Sequence, residues 1–128
     1  MRRWLSRNQR RAQDRKPLFA LGELVVTQGA EGLLRQAAIP VVELLERHQR
    51  GDWGQVDAVD MRQNALGVRL GLRIRSAYDI SISRVATTPD GALTITRLNT
   101  VWIVTSPDRR RTTVFLPREI FDEQTPQD

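Results

Sequence analysis

The sequence predicts an α+β fold in which a short N-terminal strand and two to three helices pack on one face of a C-terminal antiparallel meander sheet. Three observations lead to this prediction. Helical patterns with capping residues fill the first half, apolar and polar residues alternate from residue 68 to residue 82, and the remainder up to Leu116 is rich in Thr, Val and Ile. We expect one domain over residues 17–121, preceded by a basic, disordered arm at residues 1–16 and followed by a frayed tail at residues 122–128.

The elements of the first half are read from apolar runs and capping residues. Residues 19–26 form an apolar run that predicts a buried strand. Thr27 can cap a helix over about residues 30–38, and Pro40 suits the first turn of a second helix that ends at Gly51. Asp57 can open a third helix. The predicted inward faces are Val41, Leu44, Leu45 and His48 in the second helix and Met61, Ala65 and Val68 in the third.

The second half of the chain follows a period of two. Apolar residues stand at even positions from residue 68 to residue 82, with Ser76 as the one interruption, which predicts a long, half-buried strand. Either Gly67 or Gly71 is expected to separate this strand from the third helix. Turns at residues 88–91 and 106–109 separate the strands that follow, and Pro117 can start a short terminal helix. The core face of the long strand is expected to contain Leu72, Ile74, Tyr78 and Ile80.

Positive charge is concentrated at the N-terminus. Seven of the first 16 residues are Arg or Lys and one is Asp, whereas residues 17–128 carry 13 basic and 14 acidic side chains. On a helical wheel, five of the arginines fall within an arc of about 140° that also contains Trp4. Such a face can neutralise phosphates of RNA or DNA while the indole stacks on a base, and a solubilising tail is the alternative. The candidate nucleic-acid-binding residues are Arg2, Arg3, Trp4, Arg7, Arg10, Arg11 and Arg15.

Composition removes several classes of function. The chain has no cysteine and one histidine, which excludes cysteine nucleophiles and any thiolate or multi-histidine metal site within one chain. We therefore expect no catalytic residue, no metal and no cofactor. No apolar stretch reaches the roughly 18 residues of a membrane span, and residues 1–16 lack the apolar core of a secretory signal. These features predict a cytoplasmic protein without a membrane partner.

Two local features have both a functional and a structural interpretation. His48 could act as a general acid or base near Asp52, or it could be a partly buried residue at a helix C-terminus. The structural role is favoured, because no nucleophile or metal partner accompanies the imidazole. The run Gly51-Asp52-Trp53-Gly54 could be a ligand loop, but a structural corner in which Trp53 fills a gap between helices is favoured.

Two further groups of arginines could contact phosphate. Arg69, Arg73 and Arg75 stand at odd positions, opposite the apolar face of the long strand. The solvated side of a sheet is the favoured interpretation, because no aromatic residue accompanies them. The other group is Arg109, Arg110 and Arg111 at a hairpin tip, where exposure and phosphate contact are equally compatible.

Five short motifs form a fairly specific combination. They are HQRGDWG at residues 48–54, Asn64, SAY at residues 76–78, VWIVT at residues 101–105 and TTVFLP at residues 112–117. Together they resemble a family of short proteins from bacterial plasmids and genomic islands, described as plasmid-related or hypothetical. The similarity covers about residues 18–120. It implies an accessory protein of a mobile element in a bacterial cytoplasm, and it implies no biochemical role.

The chain departs from that family pattern in several places. Ile39 stands where the family tends to have Ser before the proline of the second helix, and Ser106-Pro107 stand where it tends to have Glu-Ala in the last hairpin turn. The strands after SAY are typically joined more tightly in the family than residues 79–99 allow. The basic arm is an extension of the family pattern. We expect a non-enzymatic accessory protein that binds nucleic acid weakly through the arm or acts in complex with a host protein. Two alternatives stay open: a small ribonuclease-type toxin that uses the sheet arginines and His48, and a protein inhibitor of a host defence enzyme. The sequence favours no particular oligomeric state.

Overall fold

The computed structural model describes residues 15–119 and has one sheet with helices packed against it. The strands are ordered β1-β4-β3-β2. The predicted α+β class is confirmed. No helix of the described residues is long and apolar enough to cross a membrane. In chain order the elements are β1 (Glu23–Val26), α1 (Gln28–Gln36), α2 (Val41–Gln49), α3 (Ala58–Leu70), β2 (Ile74–Thr88), β3 (Gly91–Thr105), β4 (Arg111–Phe115) and a 3-10 turn (Pro117–Glu119).

The helix boundaries follow the capping residues that the sequence offers. Thr27 Oγ1 accepts a hydrogen bond from the amide of Ala30 at 3.2 Å, and Asp57 Oδ1 accepts one from the amide of Asp60 at 2.8 Å. Gly71 ends α3 in the left-handed conformation, with φ 72°, which glycine adopts without steric cost. The predicted N-caps of the first and third helices are therefore confirmed, as is one of the two hinges proposed before the long strand.

Two predictions about the strands are wrong. β1 is not buried: Leu24 is 48% exposed, because β1 is an edge strand that pairs only with β4, in parallel. The alternation at residues 68–72 does not belong to a strand either. The helix that Asp57 opens runs on to Leu70, and Leu72 lies exposed in the connection before β2. Local capping at both ends of α3 outweighs the period of two in these residues.

The inward face of α3 also differs from the prediction. Its buried residues are Asn64 and Gly67, whereas Met61 is 45% exposed and Ala65 is exposed as well. The reason is that α3 covers the edge of the sheet and not its apolar face. Asn64 is turned toward β2 to bond its backbone, and the absence of a side chain at Gly67 lets the connection to β2 pass close to the helix.

The outer edge of β2 is closed by groups that do not belong to a strand. The side chain of Asn64 donates to the carbonyl oxygen of Arg75 at 2.7 Å and accepts from its amide at 3.0 Å. Further along, the amide of Gln55 donates to the carbonyl oxygen of Ala77 at 2.7 Å. Gly54 has φ 72°, and a Cβ at this position would collide with that same carbonyl. Only glycine allows the loop to approach the strand so closely.

The hydrophobic core lies between the first two helices and one face of the sheet. Ile74, Tyr78 and Ile80 of β2 are buried, which confirms three of the four predicted core residues of this strand. The core cluster further includes Ala30 and Leu34 of α1, Leu44 and Leu45 of α2, and Val101, Ile103, Val114 and Leu116 of the C-terminal half.

The core ends where the sheet narrows to two strands. β4 pairs only with residues 102–105 of β3, while β2 and β3 remain paired up to Thr88 and Gly91 on either side of the predicted turn. We call residues 81–98 the outer hairpin. No residue in it is buried, because no further strand continues the sheet beside it. At about 3.3 Å per residue, the outer hairpin extends roughly 25 Å beyond the core.

Candidate functional site

A chain of buried hydrogen bonds joins α2 to the sheet through His48. Its Nδ1 lies 2.5 Å from Ser76 Oγ, and its Nε2 lies 2.9 Å from Thr105 Oγ1. Thr105 Oγ1 is 2.7 Å from Thr112 Oγ1, which donates to the carbonyl oxygen of Leu21 at 2.7 Å. His48, Ser76, Thr105 and Thr112 are all fully buried. Residues from four separate motifs of the sequence thus meet in one network.

The positions of the protons follow from the last bond of this chain. A carbonyl oxygen only accepts, so the one proton of the Thr112 hydroxyl points at Leu21. Thr105 must then donate to Thr112, and the Nε2–H of His48 must donate to Thr105. The Nδ1 atom is left to accept the hydroxyl proton of Ser76.

Burial keeps this imidazole neutral. It lowers the pKa of His48 to about 3, and the positive charge of Arg109 contributes in the same direction. The side chain has no exposed surface, and both ring nitrogens are occupied. The favoured structural role of His48 agrees with this geometry. The ribonuclease-type hypothesis loses the imidazole on which it relied.

Residues 51–54 form a structural corner, as the sequence favoured. Asp52 accepts a hydrogen bond from Arg47 Nε at 2.6 Å, and its carbonyl oxygen accepts one from the Tyr78 hydroxyl at 2.6 Å. The guanidinium of Arg47 lies over the Tyr78 ring, 4.5 Å from its centroid. Burial raises the pKa of Tyr78, so its hydroxyl keeps the proton that it donates. Asp52 therefore serves α2 and β2, and it does not bond to the imidazole.

The arginines predicted to share one face are separated. Arg69 is the penultimate residue of α3, Arg73 precedes β2, and only Arg75 belongs to the strand. Arg75 donates to the carboxylate of Asp60 at 2.9 Å, and its guanidinium lies 5.0 Å from the centroid of the Trp102 ring. The expectation that no aromatic residue accompanies these arginines was wrong, because the pairing of β2 with β3 supplies Trp102.

Arg109 is a clamp on the end of α3. Its guanidinium donates to the carbonyl oxygens of Gly67 at 2.7 Å, Leu72 at 2.6 Å and Ser106 at 3.1 Å. It also lies over the Phe19 ring, 5.3 Å from the centroid. A cation suits these carbonyls, which carry the negative end of the helix dipole. Arg110 and Arg111, in the same turn, are exposed.

Most of the predicted basic arm falls outside the described residues. Arg15 is exposed and lies beside Gly51, and the amide of Leu18 donates to the carbonyl oxygen of Gln49 at 2.8 Å. The arm therefore joins the domain at the C-terminal end of α2. The candidate residues beyond the described range are Arg2, Arg3, Trp4, Arg7, Arg10 and Arg11.

An open cleft of about 600 Å³ lies between α1 and the outer hairpin. The side of the hairpin that continues the core face forms one wall, and α1 forms the other. Its apolar surface comes from Leu33, Ile82, Ile95 and Leu116. The amide side chains that line it are Gln28, Gln36 and Asn99.

Three arginines give this cleft its charge. Arg84 comes from β2, Arg97 from β3 and Arg118 from the 3-10 turn, and none of the described residues that line the cleft is acidic. Within residues 15–119, none of the three guanidinium groups makes a hydrogen bond or an ion pair. Glu119, the residue after Arg118, is occupied elsewhere: it accepts from the Thr27 hydroxyl at 2.7 Å and from the amide of Leu116 at 2.8 Å.

Strand register explains why these arginines meet. Arg84 is paired with Ile95, and Ile82 is paired with Arg97, so each guanidinium stands beside an apolar side chain of the opposite strand. Arg84 has even parity, like the buried residues of β2, and an arginine on the continuation of a buried face is the one signal that sequence reasoning could have used. Arg118 carried no such signal.

Comparison with family models, with characterised proteins and with solved structures finds no match for this chain. The resemblance to plasmid-related proteins therefore stays a prediction. Across residues 15–119, no three side chains of His, Cys, Asp or Glu are grouped so that they could hold a metal ion. The cleft is a described surface whose geometry and charge are suited to a ligand.

Proposed function

We propose that this protein is a non-enzymatic accessory protein of a bacterial mobile element that binds single-stranded nucleic acid weakly in the cytoplasm. The observation that carries the proposal is the cleft, in which three arginines converge that have no acidic partner among residues 15–119. Phosphate oxygens are natural partners for guanidinium groups. The basic arm at residues 1–16 adds further phosphate contacts to the same ligand.

The mixed lining of the cleft favours a single strand over a duplex. Ile82, Ile95 and Leu33 offer apolar contacts to the faces of unpaired bases, which a duplex keeps stacked inside. Gln28, Gln36 and Asn99 can both donate to and accept from base edges. Among residues 15–119, no aromatic side chain lines the cleft, so stacking on these residues is weaker than on an aromatic platform, and the proposed affinity is correspondingly weak.

The experiment compares two variants of equal net charge. In the first, Arg84, Arg97 and Arg118 are all replaced by Gln; in the second, the exposed arginines Arg62, Arg69 and Arg110 are replaced in the same way. Binding of fluorescein-labelled single-stranded RNA and DNA is followed by anisotropy at several salt concentrations. Circular dichroism and thermal melting check that both variants are folded.

We expect the cleft variant to lose about tenfold or more in affinity at low salt. Its slope of log K against log salt should become shallower by about 2, from three lost phosphate contacts at roughly 0.7 each. The control variant should retain most of the affinity. Equal losses in the two variants would mean that binding responds to net charge alone and would contradict a cleft site.

A second candidate function is a complex with a host protein, such as the inhibition of a defence enzyme. The observation that favours it is exposed apolar surface on the outer hairpin, where Val85 and Leu98 are each 67% exposed and Leu93 is 53% exposed. Pull-down from a bacterial lysate, with and without nuclease, separates the two candidates. A protein that is captured in the presence of nuclease, and lost when Val85 and Leu98 are both replaced by Thr, would favour this second function.

A further inference from the structure

We propose that the acidic segment after Glu119, residues 120–128, docks in the cleft and competes there with nucleic acid. The docking is independent of the proposed function, whereas the competition rests on it. The cleft would then hold an internal ligand until a nucleic acid displaces it. Three properties of the described residues and of the sequence support this occupant.

The first property is the direction of the chain. β4 runs antiparallel to β3, so its C-terminal end points toward the outer hairpin. Leu116 and Arg118, which follow β4, already line the cleft. The described residues therefore end one residue after Arg118, which lines the cleft. Nine further residues in extended conformation can reach up to about 30 Å. That length is sufficient to follow the wall formed by the outer hairpin.

The second property is charge complementarity. Residues 120–128 contain Asp122, Glu123 and Asp128 and no Lys, Arg or His. The part of the chain that the structure describes gives the cleft three guanidinium groups and no carboxylate. Each carboxylate thus has a cationic partner available, and each guanidinium can receive a partner that it lacks within residues 15–119.

The third property is the position of the apolar residues. Ile120 and Phe121 open the segment, four and five residues after Leu116, which lines the apolar part of the cleft together with Leu33. Burying Phe121 there would cover apolar surface that is otherwise exposed to water. The segment begins with two apolar residues, which are followed by two acids. The lining of the cleft offers apolar side chains to the first pair and arginines to the second.

Because the segment is covalently attached to the domain, weak contacts are sufficient for it to dock in the cleft. Exposed ion pairs contribute little individually, but a short tether raises the effective concentration of the segment to the millimolar range. A nucleic acid at micromolar concentration must displace it. We therefore expect neutralisation of the segment to increase nucleic-acid affinity by about threefold or more, even though the variant gains no contact with the ligand.

The affinity experiment uses the full chain with Asp122→Asn and Glu123→Gln together. The matched control is Glu23→Gln with Glu46→Gln, two exposed acids outside the cleft. Both variants change the net charge by two. Tighter binding of single-stranded RNA by the first variant, beyond any gain in the control, is the expected result. An equal gain in both would be a general charge effect and would overturn the competition.

Docking itself is measured without nucleic acid. The chain has no cysteine, so Gln124→Cys gives a single position for a nitroxide spin label. We expect the label to broaden the amide signals of residues 82–84, 95–99 and 28–36, and we expect the broadening to disappear when Arg84, Arg97 and Arg118 are replaced by Gln. A reduced, diamagnetic label provides the reference spectrum.

The outcomes separate the two proposals. Absence of broadening in the cleft overturns docking, whatever the nucleic-acid experiments give. Broadening that appears only between a labelled chain and a second, isotope-labelled chain also overturns it, because the segment would then bind a neighbouring molecule. Broadening within one chain, together with no nucleic-acid binding by any variant, supports docking and shows that the proposed function has failed.

Discussion

His48 is a structural residue because each of its ring atoms that can form a hydrogen bond already has a buried partner. Ser76 donates to one nitrogen and Thr105 accepts from the other. The network holds α2 against β2 and β3, and it is satisfied only while the imidazole is neutral. A buried polar group with complete hydrogen bonding is compatible with a stable core, but a proton added to it has no acceptor.

Replacing His48 by Gln should make stability lower and less dependent on pH. At pH 7 we expect a loss of about 2–4 kcal/mol, since Gln cannot replace both bonds in a fully buried position. In the wild type, the folded pKa of about 3 lies below the unfolded value of 6.5. The unfolded chain therefore binds the proton first, and stability falls by up to about 1.4 kcal/mol per pH unit below 6.5.

Urea denaturation at pH 7.5, 6 and 5 measures this effect. The difference between the wild type and His48→Gln should shrink as the pH falls, because only the wild type loses the imidazole contribution. Ser76→Ala serves as the control: it weakens the same network but keeps the histidine, so its pH dependence should follow the wild type. Parallel pH profiles for wild type and His48→Gln would contradict a buried neutral imidazole.

Gly54 can be tested with a second glycine as its control. Gly54→Ala introduces a Cβ that collides with Ala77 and a side chain at φ 72°, so we expect a loss of more than about 2 kcal/mol. Gly32 lies in α1, where a Cβ meets no atom within 4 Å. Gly32→Ala should therefore stabilise the protein by up to about 1 kcal/mol. Thermal melting distinguishes the two, and a similar effect of both would contradict the close approach at residue 54.

At the scale of elements, α3 is the helix with the weakest hold on the apolar core. None of its residues belongs to the core cluster, and it is held instead by polar contacts at the edge of the sheet. The Arg109 clamp closes its C-terminal end through the carbonyl oxygens of Gly67 and Leu72. The position of this helix therefore depends on a few polar contacts, of which those of Arg75 and Arg109 involve charged groups.

Arg109→Gln should loosen the end of α3. We expect a loss of about 1–3 kcal/mol, because hydrogen bonds to a charged group contribute more than neutral ones and because partial exposure reduces the effect. Amide hydrogen exchange should accelerate most at residues 67–72. Arg110→Gln, which changes an exposed neighbour, is the control and should leave both stability and exchange unchanged. Uniform acceleration along the chain would mean that Arg109 supports the whole fold and not α3 in particular.

The sequence predicted elements whose signals are local. Thr27 and Asp57 cap helices where their positions indicated, and the even-position apolar residues from Ile74 to Ile80 are buried as predicted. Local signals failed where two patterns overlap, as at residues 68–72, and where an element depends on a distant partner. The parallel pairing of β1 with β4 places Glu23 beside Arg111, and no sequence signal near either residue predicts this pairing.

The cleft was not predicted for the same reason. Arg84, Arg97 and Arg118 are separated by more than ten residues along the chain, and the register of the hairpin and the end of β4 bring them together. By contrast, the charge of residues 1–16 is contiguous and was evident from the sequence alone. Periodicity and composition identify a contiguous segment, but a surface made of three segments requires the topology.

For the whole molecule, charge is divided among three regions. The basic arm and the arginines of the cleft are positive, and the segment after Glu119 is negative. Residues 17–128 together are nearly neutral. Opposite charges in one small chain suit a ligand-controlled exchange, in which a polyanion replaces an internal acidic segment. The arm and the cleft can be separated experimentally, because the arm joins the domain at the C-terminal end of α2 and the cleft lies between α1 and the outer hairpin.

A chain that starts at Pro17 should keep its melting temperature and lose most of its nucleic-acid affinity. The removed residues carry seven of the 20 basic side chains and only one apolar aromatic, Trp4, so little of a core depends on them. With five or six phosphate contacts in the arm, its removal should make the slope of log K against log salt shallower by about 3.5–4 in a single strand.

Removal of the arm combined with the triple replacement at Arg84, Arg97 and Arg118 should change the slope by the sum of the two separate effects, since the two regions contact different phosphates. Anisotropy titrations at salt concentrations between about 20 and 300 mM measure these slopes for the wild type, the chain without the arm, the triple variant and the combination of the two changes. An unchanged slope after removal of the arm would assign all of the phosphate contacts to the cleft. A combined change in slope no larger than either separate change would mean that the arm and the cleft contact the same phosphates.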